Sequence, residues 1–239
     1  MTELLTMPAG LDLASADVNP VVHCGRHYLC ELAPGTDSDQ LAADFIRRRF
    51  NQAYGARPTL QMPPLLALVS EHGTMLAAVG VRCAAAERLF LENYLDQPVQ
   101  NCLPERNKGR NSVVEIAHLA GVESGISRPL FAALAVWLQR AGLQWVACTG
   151  TAQLRNGFSH IGIKVSDLGV ADPDRLAGAG RDWGTYYDNQ PRVLVINVSQ
   201  GVESLKACGL LGQVRFIESG GAGMPLSCRA AGRSYGKLA

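Results

Sequence analysis

The apolar run VVEIAHLAG at residues 113–121 carries two side chains suited to acid–base chemistry, Glu115 and His118. A carboxylate inside a buried strand is costly unless it is paired or hydrogen-bonded, and burial moves its pKa toward neutrality, which suits a general base. Side chains alternate along a strand, so Glu115 and His118 reach one pocket only if a bulge interrupts it. In the alternative interpretation, Glu115 binds a neighbouring arginine or backbone and His118 is an ordinary core histidine.

The segment after this run has the features of an anion-binding helix start. Gly121, Val122 and Gly125 lie in a loop that leads into a predicted helix with Ser127 as its N-cap. The free amides and the dipole of a helix N-terminus favour a phosphate group, and Arg128 adds a guanidinium that can bind one. We expect phosphate contacts here, although many helices without a ligand begin in the same way.

Two other helical segments carry polar groups. Arg155 and Asn156 follow the apolar segment WVACTG at the head of a short predicted helix, where such side chains can simply face solvent. Glu92 and Asp96 are four residues apart and would share one helix face, where Glu92 could receive an ammonium group. A solvated acidic face is the alternative. No histidine is spaced to complete a metal site with this pair, so no metal is expected.

An aromatic and polar cluster occurs late in the chain. Trp183, Tyr186, Tyr187 and Asp188 lie within one short stretch, which is the composition of a pocket wall. Tyr187 could donate a proton to a bound group or orient it. In the alternative interpretation, the tyrosines pack against a sheet edge.

These side chains need a scaffold, and the hydrophobic pattern predicts one. Helical spacing predicts a helix that begins near Asp37 and stops at Gly55, and another that begins near Ser127 and stops at Gly142. Apolar runs between the helices predict strands, including a hairpin around His72 and Gly73. Together these elements indicate an α/β fold, with one mixed, mostly antiparallel sheet and helices on both of its faces.

The same pattern predicts one domain with two irregular ends. Residues 1–25 are expected to be a loose N-terminal arm, residues 26–212 a single domain, and residues 213–239 a flexible tail rich in Gly, Ala and Ser.

Composition excludes several classes of protein. The net charge of +1 gives no general attraction to nucleic acid. The seven cysteines are widely spaced and form no CxxC pair, so neither a disulfide framework nor a zinc cage is expected. The N-terminus lacks the features of a secretory signal and no apolar run is long enough to cross a membrane, so we expect a cytoplasmic protein.

Four separated segments carry a resemblance to a known family. FLENYLDQPV, VVEIAHLAG, WVACTGTAQLRNGFSHIGI and WGTYYDNQPRVLVINV resemble the thermostable hemolysin family, over roughly residues 28–208. The order of elements around residues 113–162 is similar to the core of the GNAT acyltransferases, including the acyl-homoserine-lactone synthases. In those synthases the strand reads EISRLA or ELSRLA, whereas this chain has EIAHLA.

The resemblance implies a GNAT-like sheet with splayed central strands and an N-acyltransferase activity. The donor would be acyl-CoA or an acyl-phosphopantetheine on an acyl carrier protein, and the acceptor a small amine. The glycine-rich phosphate loop of the GNAT acyltransferases is not reproduced here, so the choice of donor stays open. The use of S-adenosylmethionine also stays open. The alternatives are a membrane-active hemolysin and a non-catalytic partner protein.

The resemblance also suggests a role for each candidate residue. Glu115 would be the general base and Tyr187 the acid. The residues expected to contact the donor are Gly121, Val122, Gly125, Ser127, Arg128, Arg155 and Asn156. Those expected to contact the acceptor are Glu92, His118, Trp183, Tyr186 and Asp188.

Overall fold

Nine strands of the computed structural model form one sheet within the residues that it describes, which are 10–58, 62–105, 109–122, 125–178 and 180–217. Their order across the sheet is β7-β8-β6-β5-β4-β3-β2-β1-β9. Every neighbouring pair is antiparallel except β5 and β6. The strands are β1 (Val18–Cys24), β2 (His27–Leu32), β3 (Leu65–Ser70), β4 (Met75–Cys83), β5 (Val113–Gly121), β6 (Trp145–Gly150), β7 (Ser166–Val170), β8 (Arg192–Asn197) and β9 (Val214–Phe216). The predicted mixed, mostly antiparallel sheet is confirmed.

Helices cover both faces of this sheet, as the sequence pattern indicates. The helices are α1 (Asp37–Tyr54), α2 (Ser127–Arg140), α3 (Ala152–His160) and α4 (Val198–Ala207). Helix α1 packs on one face, against β3, β4 and β5. Helix α2 packs on the opposite face, against β1, β2 and β9, and α4 lies beside α2. Two large apolar clusters result, one under each helix layer.

Helix α1 shows how the local sequence sets an element's ends. The Thr36 hydroxyl accepts a hydrogen bond from the Asp39 amide, which satisfies one free donor of the first turn. Gly55 adopts a left-handed conformation, which ends the helix. The buried residues Ala43, Ile46 and Phe50 face the sheet, so α1 packs against β5.

The predicted N-terminal arm is wrong for residues 18–24, which form strand β1 between β2 and β9. The sequence pattern did not indicate this strand because proline, which has no amide to donate, is rare in strands, and Pro20 lies within it. The ladder to β2 shifts register next to Pro20. At the other end, Val214–Phe216 pairs with β1, so the predicted flexible tail is wrong for these three residues. Residues 1–9 and 218–239 lie outside the described residues.

Candidate functional site

The central strands β5 and β6 separate after a short common ladder. They are paired over three positions, the last of which joins Glu115 to Ala147. Beyond it the two strands diverge, and we call this place the fork. A β-bulge explains the divergence: the β4 ladder shifts register between Ala78 and Gly80, opposite His118, which bends β5.

A cavity of about 460 Å³ opens at the fork and is lined from both faces of the sheet. Its polar part is lined by Arg49, Tyr54, Tyr94, Glu115, His118, Ser127, Thr149, Thr151 and Gln153. Its apolar part runs beneath α2 and α4, along Leu130, Phe131, Leu134, Leu138, Val146, Phe158, Ile163, Ile196 and Leu205. The fork therefore leads from a polar mouth into a long hydrophobic recess.

Glu115 lines this cavity, but its carboxylate is already bound. Oε2 accepts a hydrogen bond from the Phe90 amide at 2.8 Å and from Arg82 Nη1 at 3.3 Å, and Oε1 accepts one from the Leu91 amide at 3.0 Å. Burial raises the pKa of the Glu115 carboxyl, whereas Arg82 and the two amides oppose that rise. Glu115 thus ties the 3₁₀ segment Phe90–Tyr94 to the central strand, as the alternative interpretation of the sequence holds.

His118 lines the same cavity because it occupies the bulge. Its backbone has a φ of 53°, which reverses the alternation of side chains that would otherwise separate it from Glu115. Its ring lies 6.4 Å, centroid to centroid, from the rings of both Phe50 and Phe90. The bulge that Glu115 and His118 need in order to reach one pocket is therefore present.

An aromatic wall closes the α1 side of the cavity. Phe50, Tyr54, Phe90, Trp183 and Tyr186 line it, with Trp183 and Tyr186 5.4 Å apart between ring centroids. The structure therefore brings two members of the predicted aromatic cluster to the cavity. Asp188 is exposed and does not line the cavity.

Gly184 anchors this wall to the end of α1. It has φ 54° and ψ −130°, and a Cβ there would lie 1.9 Å from the Tyr54 carbonyl oxygen. We expect Gly184→Ala to lower the free energy of unfolding by at least about 2 kcal/mol, measured by urea denaturation. Gly178→Ala is the matched control, since Gly178 also has a positive φ of 81° but nothing within 4 Å of its Cβ position. Equal losses in both variants would contradict the steric argument.

Tyr94, which the sequence did not single out for chemistry, lies where the acid was predicted. Tyr187 lies behind the cavity wall, and its hydroxyl is 2.7 Å from that of Tyr94, which does line the cavity. Burial raises the pKa of the Tyr94 hydroxyl well above its usual range, so this group keeps its proton at neutral pH. Because Tyr94 and Tyr187 are far apart in the sequence, only the three-dimensional structure shows that they form a pair.

The predicted phosphate-binding segment reaches the cavity in part. Gly121 and Ser127 line it, whereas Val122 packs against the α1-side core, and Gly125 and Arg128 are exposed and lie outside the lining. Ser127 is the first helical residue rather than the N-cap. Ile126 is the N-cap instead and has no side chain to offer.

Two uncapped helix starts therefore meet the cavity. No side-chain hydrogen bond caps the first turn of α2 or that of α3 within the described residues. No described side chain binds their first amides, which lie near Ser127, Thr151 and Gln153, and all three of these residues line the cavity.

Arg49 holds the end of β5 beside these amides, and sequence reasoning missed it. Its guanidinium donates to the Gly121 carbonyl at 2.8 Å and to the Val122 carbonyl at 2.9 Å. In the sequence it belongs to an arginine run on α1, which is typical of a solvated helix face.

Three other predicted contacts lie elsewhere. Arg155 donates to the Gly150 carbonyl at 3.3 Å and does not line the cavity, and Asn156 is exposed. Glu92 lies outside the lining, and its oxygens bind the amides of Leu89 and Val99 and the Arg110 guanidinium. The prediction that Glu92 receives an ammonium group is therefore corrected. The segment Phe90–Tyr94 is a 3₁₀ turn rather than an α-helix, and Glu92 is buried in it instead of lying on an exposed helix face.

The model of one protein family matches residues 32–202, more than half of the chain, and its description is thermostable hemolysin. The chain belongs to the thermostable hemolysin family. This membership confirms the resemblance seen in the sequence. None of the curated proteins matches the chain.

Solved structures place this thermostable hemolysin family member in the GNAT-like fold. FeeM, an N-acyl amino acid synthase from uncultured soil microbes, superposes with a TM-score of 0.52 at 13% identity, covering 77% of this chain and 97% of its own. BjaI, a CoA-dependent acyl-homoserine lactone synthase with SAM and isopentyl-CoA, gives 0.51 at 12% identity, covering 82% and 93%. TofI in a ternary complex with an inhibitor and MTA gives 0.51 at 14% identity, covering 76% and 96%. At these identities the likeness concerns the fold.

The family description raises the question of membranes. Among the helices that the structure describes, none combines the length and hydrophobicity needed to span a bilayer.

Proposed function

We propose that this protein is an N-acyltransferase that moves an acyl group from an acyl thioester to a small amine. The observation that carries the proposal is the fork, where two central strands separate and open a cavity with a polar mouth and an apolar recess. The fold shared with an N-acyl amino acid synthase and a CoA-dependent acyl-homoserine lactone synthase supports the same reaction class.

The fork suits a pantetheine thioester. Beyond Glu115, β5 has no ladder to β6, so its peptide groups on that side are available to the amides of a pantetheine arm. The donor's phosphates would lie at the free amides of α2 and α3, near Ser127 and Thr151. Arg49 would keep the end of β5 in place through its bonds to two carbonyls.

The apolar recess suits an acyl chain of medium or greater length. It extends from the fork past Leu130 and Leu134 of α2 to Ile196 and Leu205. Removal of a hydrocarbon chain from water would contribute about 0.8 kcal/mol per buried methylene group. A donor with an acetyl group would leave this recess unused.

The aromatic wall suits the acceptor. Electron-rich faces of Trp183, Tyr186 and Tyr54 attract a cation or an amine-bearing group, and the carbonyl to be attacked would lie beside them at the fork. Much of the rate would come from holding amine and thioester together. Tyr94, supported by Tyr187, would donate a hydrogen bond to the departing thiolate.

The decisive experiment measures acyl transfer directly. Purified protein is incubated with C2 to C16 acyl-CoA, or with the same acyl groups on acyl carrier protein, and a panel of amino acids and simple amines. Thiol release is followed optically and amides by mass spectrometry. We expect amide formation with donors longer than acetyl. Absence of any amide with every donor would overturn the proposal, and a preference between the two donor sets would identify the carrier.

Gly201 on α4 offers a test of the acyl recess. It lines the cavity, and the nearest atom to a Cβ there would be 3.7 Å away, so larger side chains would project into the recess. We expect Gly201→Leu to lower kcat/KM for the longest accepted acyl-CoA by about tenfold or more relative to a short one.

Gly201→Ala is the matched control for this variant. It should keep the chain-length preference, because its single carbon fits the available space, and should gain up to about 1 kcal/mol of helix stability. An unchanged preference in Gly201→Leu would show that the acyl chain lies elsewhere.

A further inference from the structure

His118 holds a backbone conformation that its residue type does not favour. Its φ is 53°, and Gln190 is the other non-glycine residue with a positive φ in the described part of the chain. Such a conformation costs about 1 kcal/mol or more, and residues kept in it cluster at functional sites. Here it aims an imidazole into the fork, whereas a glycine would bend β5 at no such cost.

The surroundings of this imidazole leave its nitrogens available. His118 is 9% exposed as a residue, and its ring lies between Phe50 and Phe90, which offer no hydrogen bond. No group in the described residues hydrogen-bonds to the ring. Neither ring nitrogen is a fully buried atom without a partner, so the nitrogens face the open space of the cavity, where a bound ligand can reach them.

Glu115, the other candidate base, is in the opposite situation. Its two oxygens already accept three hydrogen bonds, from Arg82 and from the amides of Phe90 and Leu91. To take a proton from a substrate it would have to weaken a buried ion pair. His118 needs no such rearrangement.

We propose that His118 is the general base that takes the proton from the attacking amine nitrogen. This inference rests on the proposed acyl transfer and adds to it the residue that moves the proton. The nitrogen lone pair forms the C–N bond, the imidazole accepts the nitrogen's proton, and the C–S bond breaks. The imidazolium then returns that proton to the thiolate, so thioester and amine become amide and thiol with no other reactant.

The electrostatic surroundings are consistent with a neutral imidazole before reaction. Burial, with a contribution from Arg82 on β4, lowers the pKa of His118 to about 4. The other titratable groups that line the cavity are Glu115 on β5, Cys148 on β6, Arg49 and Tyr54 on α1, Tyr94 in the 3₁₀ segment and Tyr186 in the aromatic wall. The imidazole lone pair is therefore free at physiological pH.

The test compares two substitutions that the backbone tolerates. Asparagine and glycine both accept a positive φ, so His118→Asn and His118→Gly should fold. With decanoyl-CoA and the best acceptor of the panel, each is expected to lower kcat by about 10²-fold or more, with decanoyl-CoA affinity unchanged. Added imidazole should restore part of the activity of His118→Gly, which a merely structural role would not allow.

The contrary results separate this inference from the proposed function. An active wild type with an equally active His118→Asn would overturn the role of His118 and leave acyl transfer standing. Loss of activity in His118→Gly without rescue by imidazole would also count against a proton-transfer role. A wild type that acylates no amine would overturn both.

Discussion

Arg82→Met is expected to destabilise the protein by about 3–5 kcal/mol, because it leaves a buried carboxylate without its cation. Arg82 is 8% exposed and contacts Glu115, a residue that is 2% exposed, across the β4–β5 ladder. With the guanidinium gone, the two amides at Phe90 and Leu91 are the remaining bonds to Glu115. Chemical denaturation at neutral pH measures the loss.

The pH dependence of this loss identifies its cause. Removing the cation raises the folded-state pKa of Glu115 further above that of the unfolded chain. A carboxyl group with a raised folded pKa binds protons more readily in the fold, so stability recovers as pH falls. The deficit of Arg82→Met should therefore shrink as pH is lowered.

The double variant Arg82→Met with Glu115→Gln is the matched control. It removes the buried charge, and it should recover part of the loss at neutral pH. A deficit that is independent of pH and is not reduced in the double variant would show that packing of the Arg82 side chain, rather than charge, is responsible.

The buried imidazole predicts a steep loss of stability in mild acid. The pKa of His118 is about 4 in the fold, compared with 6.5 for an ordinary histidine, so between these values the unfolded chain binds a proton that the folded chain does not. The stabilisation is complete above about pH 6.5 and is lost as pH falls to about 4. The wild type should lose about 3 kcal/mol more over this range than His118→Asn.

Urea denaturation of both proteins across this pH range measures the difference. His160→Asn is the matched control, since His160 is an exposed histidine at the end of α3. We expect that control to follow the wild type. Parallel curves for the wild type and His118→Asn would show that the imidazole titrates as it does in the unfolded chain.

Much of the site could be predicted because burial leaves a clear mark on sequence. Glu115 and His118 interrupt an apolar run, and a polar residue in such a place needs either a partner or a ligand. The aromatic cluster that contains Trp183 and Tyr186 could be predicted for a similar reason, since a solvent-exposed loop rarely contains so many aromatic residues. These are local patterns.

The partners of those residues could not be predicted, because each comes from a distant part of the chain. Arg82 reaches Glu115 across a strand ladder, Arg49 reaches Gly121 from a helix, and Tyr94 meets Tyr187 through the packing of two irregular segments. Glu92 shows the same limit, because Arg110 and a 3₁₀ turn, not a helix face, determine where its carboxylate points.

By itself, the sequence determined the fold class, helices α1, α2 and α3, most of the strands and the family, since these follow from hydrophobic periodicity and from motifs that are continuous in the chain. The tertiary structure alone decided that Glu115 is bound and His118 is available. That outcome depends on a one-residue bulge, which reverses the direction of every side chain beyond it and leaves no signal in the spacing of apolar residues.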